Sequence, residues 1–356
     1  MLCSLSEERV AEDSLREMEQ YCQKIVVFPL SRWGLPFRLL RTLISDLPLQ
    51  AAWFYRSAIK RQIHQLIQSE GVDHVYCQLL RMAPYVEDYD GPATLDYMDC
   101  FSVQIARQAE ASRWGKLVLR WEAKRLARYE AKLANHFWHH SIISEQDREH
   151  LPFSERAKVT IVPNGVDTDY FQPMPDYKSQ YDLVFVGNMG YFPNVRAALW
   201  LVKEIMPIVW RSQPTATLLL AGARPTREIQ ALAINPRIMV SGWVADIREA
   251  YAQGKVFIAP IKTGSGQQNK ILEALSMARP CVTTRLVNNA IGAKEGNEIR
   301  LADDASGLAG AILALLGDPT AAKAMGEAGR ARILANYSWA RSIETLDCLW
   351  GAGEKE

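Results

Sequence analysis

The sequence predicts an α/β protein of two domains, the second a doubly wound parallel sheet. At 356 residues the chain is long enough for two cores. From residue 181 onward, short apolar runs alternate with stretches of helical period, the pattern of strand–helix–strand units. A third observation names the stretch around which the rest is arranged. Between residues 256 and 284 an apolar run ending at Pro260 meets a loop with Gly264 and Gly266. A helical stretch follows, then a second apolar run from Cys281. Apolar runs without alternation suit parallel strands covered on both faces.

Composition narrows the class. A hydrophobic fraction of 48% and a charged fraction of 23% are ordinary for a globular protein. A net charge of +1 gives no argument for nucleic-acid binding. Cys3, Cys22, Cys77, Cys100, Cys281 and Cys348 are scattered without metal or redox spacing, which points to a reducing, cytoplasmic compartment. No apolar run has the length that spans a bilayer.

In the N-terminal half, residues 1–5 read as the end of a strand, 7–21 as an exposed charged helix and 24–28 as a strand closed by Pro29. Residues 31–65 interleave Trp33, Phe37, Leu43, Trp53 and Phe54 with Arg32, Arg38, Arg56 and Arg61. A helix packed by its aromatic side is one reading, and contact with an anionic membrane surface is the sharper one. Residues 72–77 and 93–100 are strands. Asp96 and Asp99 fall where the second runs into a loop, the end of a strand at which ligands collect in open α/β sheets. Proton transfer, acceptor binding and helix capping are all open to them. Residues 102–135 read as one long helix with a basic side, either solvated or facing phospholipid. The strand at 137–144 carries His139 and His140, preceded by His136. Adjacent strand residues point to opposite faces, so a metal site is disfavoured. Residues 144–147 suit a helix cap.

Residues 158–167 form a strand ending in the turn Pro163, Asn164, Gly165. Residues 173–180 are polar and contain proline, and mark the expected boundary between domains at 1–172 and 181–337. Strands are then expected at 181–187, 216–222, 237–242 and 298–301, with helices at 195–210, 226–233, 246–253 and 305–335.

The 256–284 unit suits a phosphate. A strand delivers a glycine loop to a helix N-terminus, where free amides and the positive end of the helix dipole favour an anion. Lys270, one turn in, adds a mobile positive charge, and Glu273, a turn further, can accept hydrogen bonds from sugar hydroxyls. A diphosphate followed by a ribose fits that order. The plainer alternative is a simple turn followed by a solvated Lys270–Glu273 helix pair.

With these residues laid out, the chain resembles glycosyltransferase family 4, retaining enzymes with two facing Rossmann-like domains in the GT-B fold. The resemblance rests on residues 162–171, 185–194, 240–246 and 259–280, and is nearest to sugar transferases of bacterial exopolysaccharide systems. It implies a UDP-sugar or GDP-sugar donor, a glycan or lipid-linked acceptor, no metal or other cofactor, and a place on the inner face of the cytoplasmic membrane. It further implies that Glu273 holds the ribose and Lys270 the diphosphate. Gly187, Asn188, Trp243, Val244, Gly264, Ser265, Gly266, Gln268 and Asn269 complete the donor site, and Asp96 joins Lys270 as a catalytic residue. Domain closure would exclude water, and a helix at about 338–356 would cross back to the first domain.

Three departures qualify this. Ser265 stands where the family's second acid is expected, and Asn194 where many members carry a lysine. The sequence reads as starting after the strand and glycine-rich loop with which members begin, so that either the start is truncated or the protein lacks part of its cleft. A nucleotide-sugar-binding or assembly protein, or an epimerase of the same architecture, are the competing readings.

Overall fold

The computed structural model of the chain describes residues 1–31, 42, 45–112, 115–263 and 267–351. It divides into two compact units, Met1–Ile142 with Arg148–Ile161, and Ile143–Asp147 with Val162–Glu356.

In the first unit, β1 (Leu2–Ser6) pairs in parallel with β2 (Ile25–Pro29) across the Glu12–Glu19 helix. A separate four-stranded sheet runs β3 (Val75–Gln78), β4 (Ala93–Asp96), β5 (His139–Ile142), β6 (Thr160–Ile161), all parallel. Parallel neighbours need long crossovers. The one from β4 to β5 is a pair of helices, Phe101–Ala111 and Lys116–Leu133, where the sequence suggested a single helix. Gly115 stands just before the second helix at φ +81°, a left-handed conformation that no right-handed helix continues through. Glu130, fully buried on the second helix, caps the first from outside. It accepts from the Ser102 amide at 2.9 Å and the Ser102 hydroxyl at 2.6 Å. The expected cap at 144–147 is present, with the Asp147 amide donating to Ser144 Oγ at 3.1 Å.

Of the basic–aromatic stretch at 31–65, Trp33, Phe37, Leu43, Arg32 and Arg38 lie outside the described residues. Its described part is packed. The Ser57–Ser69 helix buries Ile59, Ile63 and Ile67 at i, i+4 spacing, and Trp53 Nε1 donates to Glu7 at 2.8 Å.

The second unit holds six parallel strands: β7 (Tyr181–Val186), β8 (Leu218–Ala221), β9 (Ile238–Gly242), β10 (Gly254–Ala259), β11 (Cys281–Thr283) and β12 (Arg300–Leu301). Their order is β9-β8-β7-β10-β11-β12, which reverses direction between β7 and β10 as in a dinucleotide-binding sheet. Leu183, Val184 and Phe185 of β7 and Phe257, Ile258 and Ala259 of β10 are fully buried, as expected of central parallel strands. Asp304 and Asp318 cap the Ala305–Gly317 and Pro319–Asn336 helices by accepting from Gly307 and Ala321 amides. The expected 195–210 helix widens to a π turn over Leu201–Ile205. Pro207, just beyond, has no amide to give the Lys203 carbonyl.

Residues 162–172 lie with the second unit because their polar groups are satisfied there. Val166 N donates to Tyr337 O at 2.7 Å, Ser276 Oγ to Phe171 O at 2.6 Å, and Ser342 Oγ to Pro163 O at 2.7 Å. Residues 173–180 and the Trp339–Gly351 helix belong to the same unit. Among the described residues no single helix is long and apolar enough to cross a membrane.

Candidate functional site

The point where the sheet order reverses puts the carboxyl ends of β7 and β10 side by side, and a cleft of about 520 Å³ opens there. Its floor is bare backbone. Gly222, at φ +133°, approaches β7 so closely that an added Cβ would sit 1.9 Å from the Gly187 carbonyl oxygen. A Cβ on Gly187 would meet Asn194 Nδ2 at 2.8 Å and Lys270 Cε at 3.3 Å. Both glycines therefore make room, one for a strand and one for a pair of side chains.

That pair is the centre of the site. Asn194 Nδ2 donates to Asn188 O at 3.0 Å, which turns its carbonyl towards Lys270, whose Nζ donates to Asn194 Oδ1 at 3.1 Å. Lys270 Nζ also donates to Gln268 Oε1 at 2.9 Å. Among the described residues Lys270 makes no ion pair and is the one cation lining the cleft. Burial pushes its pKa down to about 8, against a modest opposing pull from Glu273. A desolvated ammonium balanced mainly by neutral amide dipoles gains from the arrival of an anion.

Glu273 lies one turn on. Tyr251, fully buried on the Ile247–Gln253 helix, donates its hydroxyl to Glu273 Oε2 at 2.5 Å. Burial raises the Glu273 carboxyl, while the Tyr251 bond and Lys270 pull it down. Burial holds the Tyr251 phenol far above its usual range, so it remains a donor. Oε1 has no partner among the described residues, leaving an acceptor at the cleft wall.

The other expected donor-site residues divide. Val244 and the largely exposed Trp243 line the cleft. Asn188 lines it too, but its Oδ1 accepts from Gly190 N at 3.0 Å and so closes its own turn. Asn269 accepts from Asn164 Nδ2 at 3.4 Å. The helix begins at Asn269, because Gln267 is tied both ways to the Asn164 backbone at 3.0 and 3.2 Å and Gln268 stays extended without a side-chain cap. Gly264, Ser265 and Gly266 lie outside the described residues.

Asp96 belongs to the first unit, at the carboxyl end of β4. Its Oδ2 accepts from the Tyr76 hydroxyl at 2.9 Å and its Oδ1 from the Met98 amide at 3.0 Å. These bonds hold a turn in which Met98 takes φ +62°, and burial raises the carboxyl. His140 is stacked on Tyr97 with centroids 5.7 Å apart, and burial pushes its pKa down to about 4.

Sequence reasoning missed Tyr251, the bracing role of Asn194, and Gly222. Tyr251 sits between Ala250 and Ala252, and a hydroxyl in an otherwise buried helical stretch is a signal that a polar partner exists.

A family model described as glycosyl transferases group 1 matches residues 180–318, the span that builds this cleft. Alpha-maltose-1-phosphate synthase of Mycobacterium tuberculosis is 29% identical over 227 residues, covering 53% of this chain and 56% of that protein. A GDP-mannose-dependent alpha-(1-6)-phosphatidylinositol monomannoside mannosyltransferase of Mycolicibacterium smegmatis is 27% identical over 226 residues, covering 57% and 59%. The chain thus spans little more than half the length of these curated relatives. Among solved structures, Anabaena HepE in complex with UDP superposes with a TM-score of 0.72 at 13% identity over 99% of both chains. Sucrose-phosphate synthase from Thermosynechococcus elongatus gives 0.69 at 15% identity over 84% of this chain and 78% of that one. The fold is GT-B, built of two Rossmann-like domains, and the matches support the glycosyltransferase superfamily.

Proposed function

We propose that this protein is a metal-independent, retaining glycosyltransferase that moves a hexosyl group from a nucleoside diphosphate sugar to a glycan or lipid-linked acceptor. The observation that carries the reading is the desolvated Lys270 ammonium, braced by Asn194 and Gln268, one turn ahead of the open Glu273 oxygen. The diphosphate would lie over Lys270 and the short Asn269–Ser276 helix, with the ribose hydroxyls on Glu273 and the base beside Trp243 and Val244. As the bond from sugar to diphosphate breaks, negative charge grows on the leaving group. A positive charge already stripped of water stabilises that change more than it stabilises the bound donor. HepE is solved with UDP and the mycobacterial relative is named for GDP-mannose, so UDP and GDP are the nucleotides to try. A role in bacterial exopolysaccharide or cell-surface glycan synthesis is part of the proposal.

Calorimetric titration with UDP and with GDP, with and without chelator, tests the site. Chelator-resistant binding of one nucleotide, lost in Lys270→Ala, supports it. Binding that needs a divalent ion overturns the metal-free reading, and no binding of either nucleotide overturns the site. A non-catalytic nucleotide-sugar-binding protein is the second reading, favoured by the neutral Asn194 beside a single described cation. Donor binding without transfer or hydrolysis would select it, and turnover without acceptor would select an epimerase.

A lipid-linked acceptor implies a membrane contact. The Lys116–Leu133 helix exposes Leu117, Val118 and Trp121 beside Arg120, Lys124 and Arg128, a face suited to an anionic bilayer. Co-sedimentation with liposomes that does not depend on anionic lipid would remove this part of the proposal.

A further inference from the structure

The Asn269–Ser276 helix has two ends, and only one meets the cleft. Its C-terminal end runs into a second cavity of about 460 Å³ at the opposite, amino-terminal edge of the sheet, where Lys255 and Val256 open β10 and Pro280 leads into β11. The floor is apolar: Met174, Met277, Leu315 and Leu316 line it. The charges around it are unbalanced. Lys255 is paired with Asp182 at 2.8 Å and Lys323 with Glu327 at 3.8 Å. Arg279 and Arg330 make no ion pair among the described residues and bond only to backbone carbonyls. Arg279 reaches Gly254 O at 3.2 Å, and Arg330 reaches Phe171 O at 3.2 Å and Ser276 O. Arg279 Nε is buried with no hydrogen-bond partner. A guanidinium in that state carries a desolvation cost that a carboxylate would relieve, and guanidinium geometry matches a carboxylate or phosphate.

We propose that this cavity binds an amphipathic anion, a carboxylate or phosphate head on Arg279 and Arg330 with a short alkyl body on the Met277–Leu316 floor. The volume lies within the range of small-molecule sites. The site is coupled to the cleft. Met277 and Arg279 follow directly on the helix that carries Lys270 and Glu273, and that helix is about 12 Å long, a single rigid step. Gly326 locks the arrangement, since a Cβ there would lie 2.1 Å from the Ala278 carbonyl. An occupant that shifts the turn at Ala278 shifts Lys270 with it. The coupling, unlike the cavity itself, rests on the donor-site reading above.

The test is calorimetry of the full chain with decanoate and decyl phosphate, with decanol and decyltrimethylammonium as controls. Saturable binding of the anions, at least tenfold weaker in Arg279→Gln and abolished in Leu316→Trp, is expected, with the controls weak. Absence of saturable binding, equal binding of decyltrimethylammonium, or binding unchanged in Arg279→Gln overturns the site. Arg279→Gln removes charge without filling the cavity and stays informative if Leu316→Trp folds poorly. UDP titrated in saturating decanoate is expected to bind with altered affinity, and by reciprocity UDP should change decanoate affinity by the same factor. Unchanged affinity sinks the coupling and leaves an independent site. Failure of UDP to bind at all would strike the donor reading, not the decanoate result.

Discussion

Lys270→Met should make the protein more stable near neutral pH while removing nucleotide binding. Burial lowers the Lys270 pKa to about 8, so the folded state holds this charge less readily than the unfolded chain does. A lysine depressed on folding costs stability wherever it is still charged in the folded protein, which here means below about pH 8. The cost fades as pH rises from there to the ordinary lysine value, because the unfolded chain then holds a proton that the folded chain has already lost. At about 1.4 kcal/mol per pH unit the full cost is about 3 kcal/mol. Lys270 keeps a small part of its surface in water, and the residual solvent screening brings this to about 1–2 kcal/mol. Methionine keeps the alkyl length and removes the charge. Urea unfolding of both proteins at pH 6.5, 7.5, 8.5 and 9.5, followed by tryptophan fluorescence, reads the difference. A gain at pH 6.5 and 7.5 that shrinks by pH 9.5, with UDP binding lost, is expected. A loss of stability equal at every pH would show that Lys270 is a structural brace whose two hydrogen bonds outweigh its desolvation, and would refute the argument.

Other outcomes follow from the same geometry. UDP affinity should fall as pH rises through about 8, since the free protein loses the Lys270 proton that the bound anion retains. A titration series flat between pH 7 and 9.5 would contradict this. Glu273→Ala should weaken UDP or GDP binding by about 1–3 kcal/mol, the range for a lost hydrogen bond to a charged group, and unchanged affinity would sink the ribose assignment. Gly187→Ala places a Cβ 2.8 Å from Asn194 Nδ2 and should cost at least tenfold in nucleotide affinity with little change in unfolding. Gly222→Ala, 1.9 Å from a backbone carbonyl, should instead destabilise the whole second unit, and a normal melting curve would count against the close contact. Burial pushes the Glu130 carboxyl up to about 7, so its contribution to stability is full below about pH 4.5 and is lost as pH rises through about 7. Unfolding measured across that window should show the decline, and Glu130→Gln should flatten it.

The legible part of this protein was the part written in periodicity. The apolar runs of the second unit became β7 to β12, because a central parallel strand must be apolar on both faces and leaves that mark in few residues. Lys270 and Glu273 were legible because helical spacing alone puts them one turn apart beyond a strand. What could not be read was whatever depends on a contact between distant segments. The single helix expected at 102–135 breaks before Gly115, and a glycine in a basic, amphipathic stretch gives no local reason to choose a break over a tolerated interior position. The 162–172 segment sits with the second unit through bonds to Gln267, Ser276, Tyr337 and Ser342, none visible from the segment itself. Asn194 is the sharpest case. Read alone, it is a lysine position that lost its charge. In the cleft its amide takes a backbone carbonyl with one end and the Lys270 ammonium with the other, so a second cation there would have faced Lys270 at hydrogen-bond range. The neutral residue lets one buried lysine stay poised. Burial alone depresses the Lys270 pKa, and Asn194→Lys, which puts a like charge at hydrogen-bond range, should lower it further.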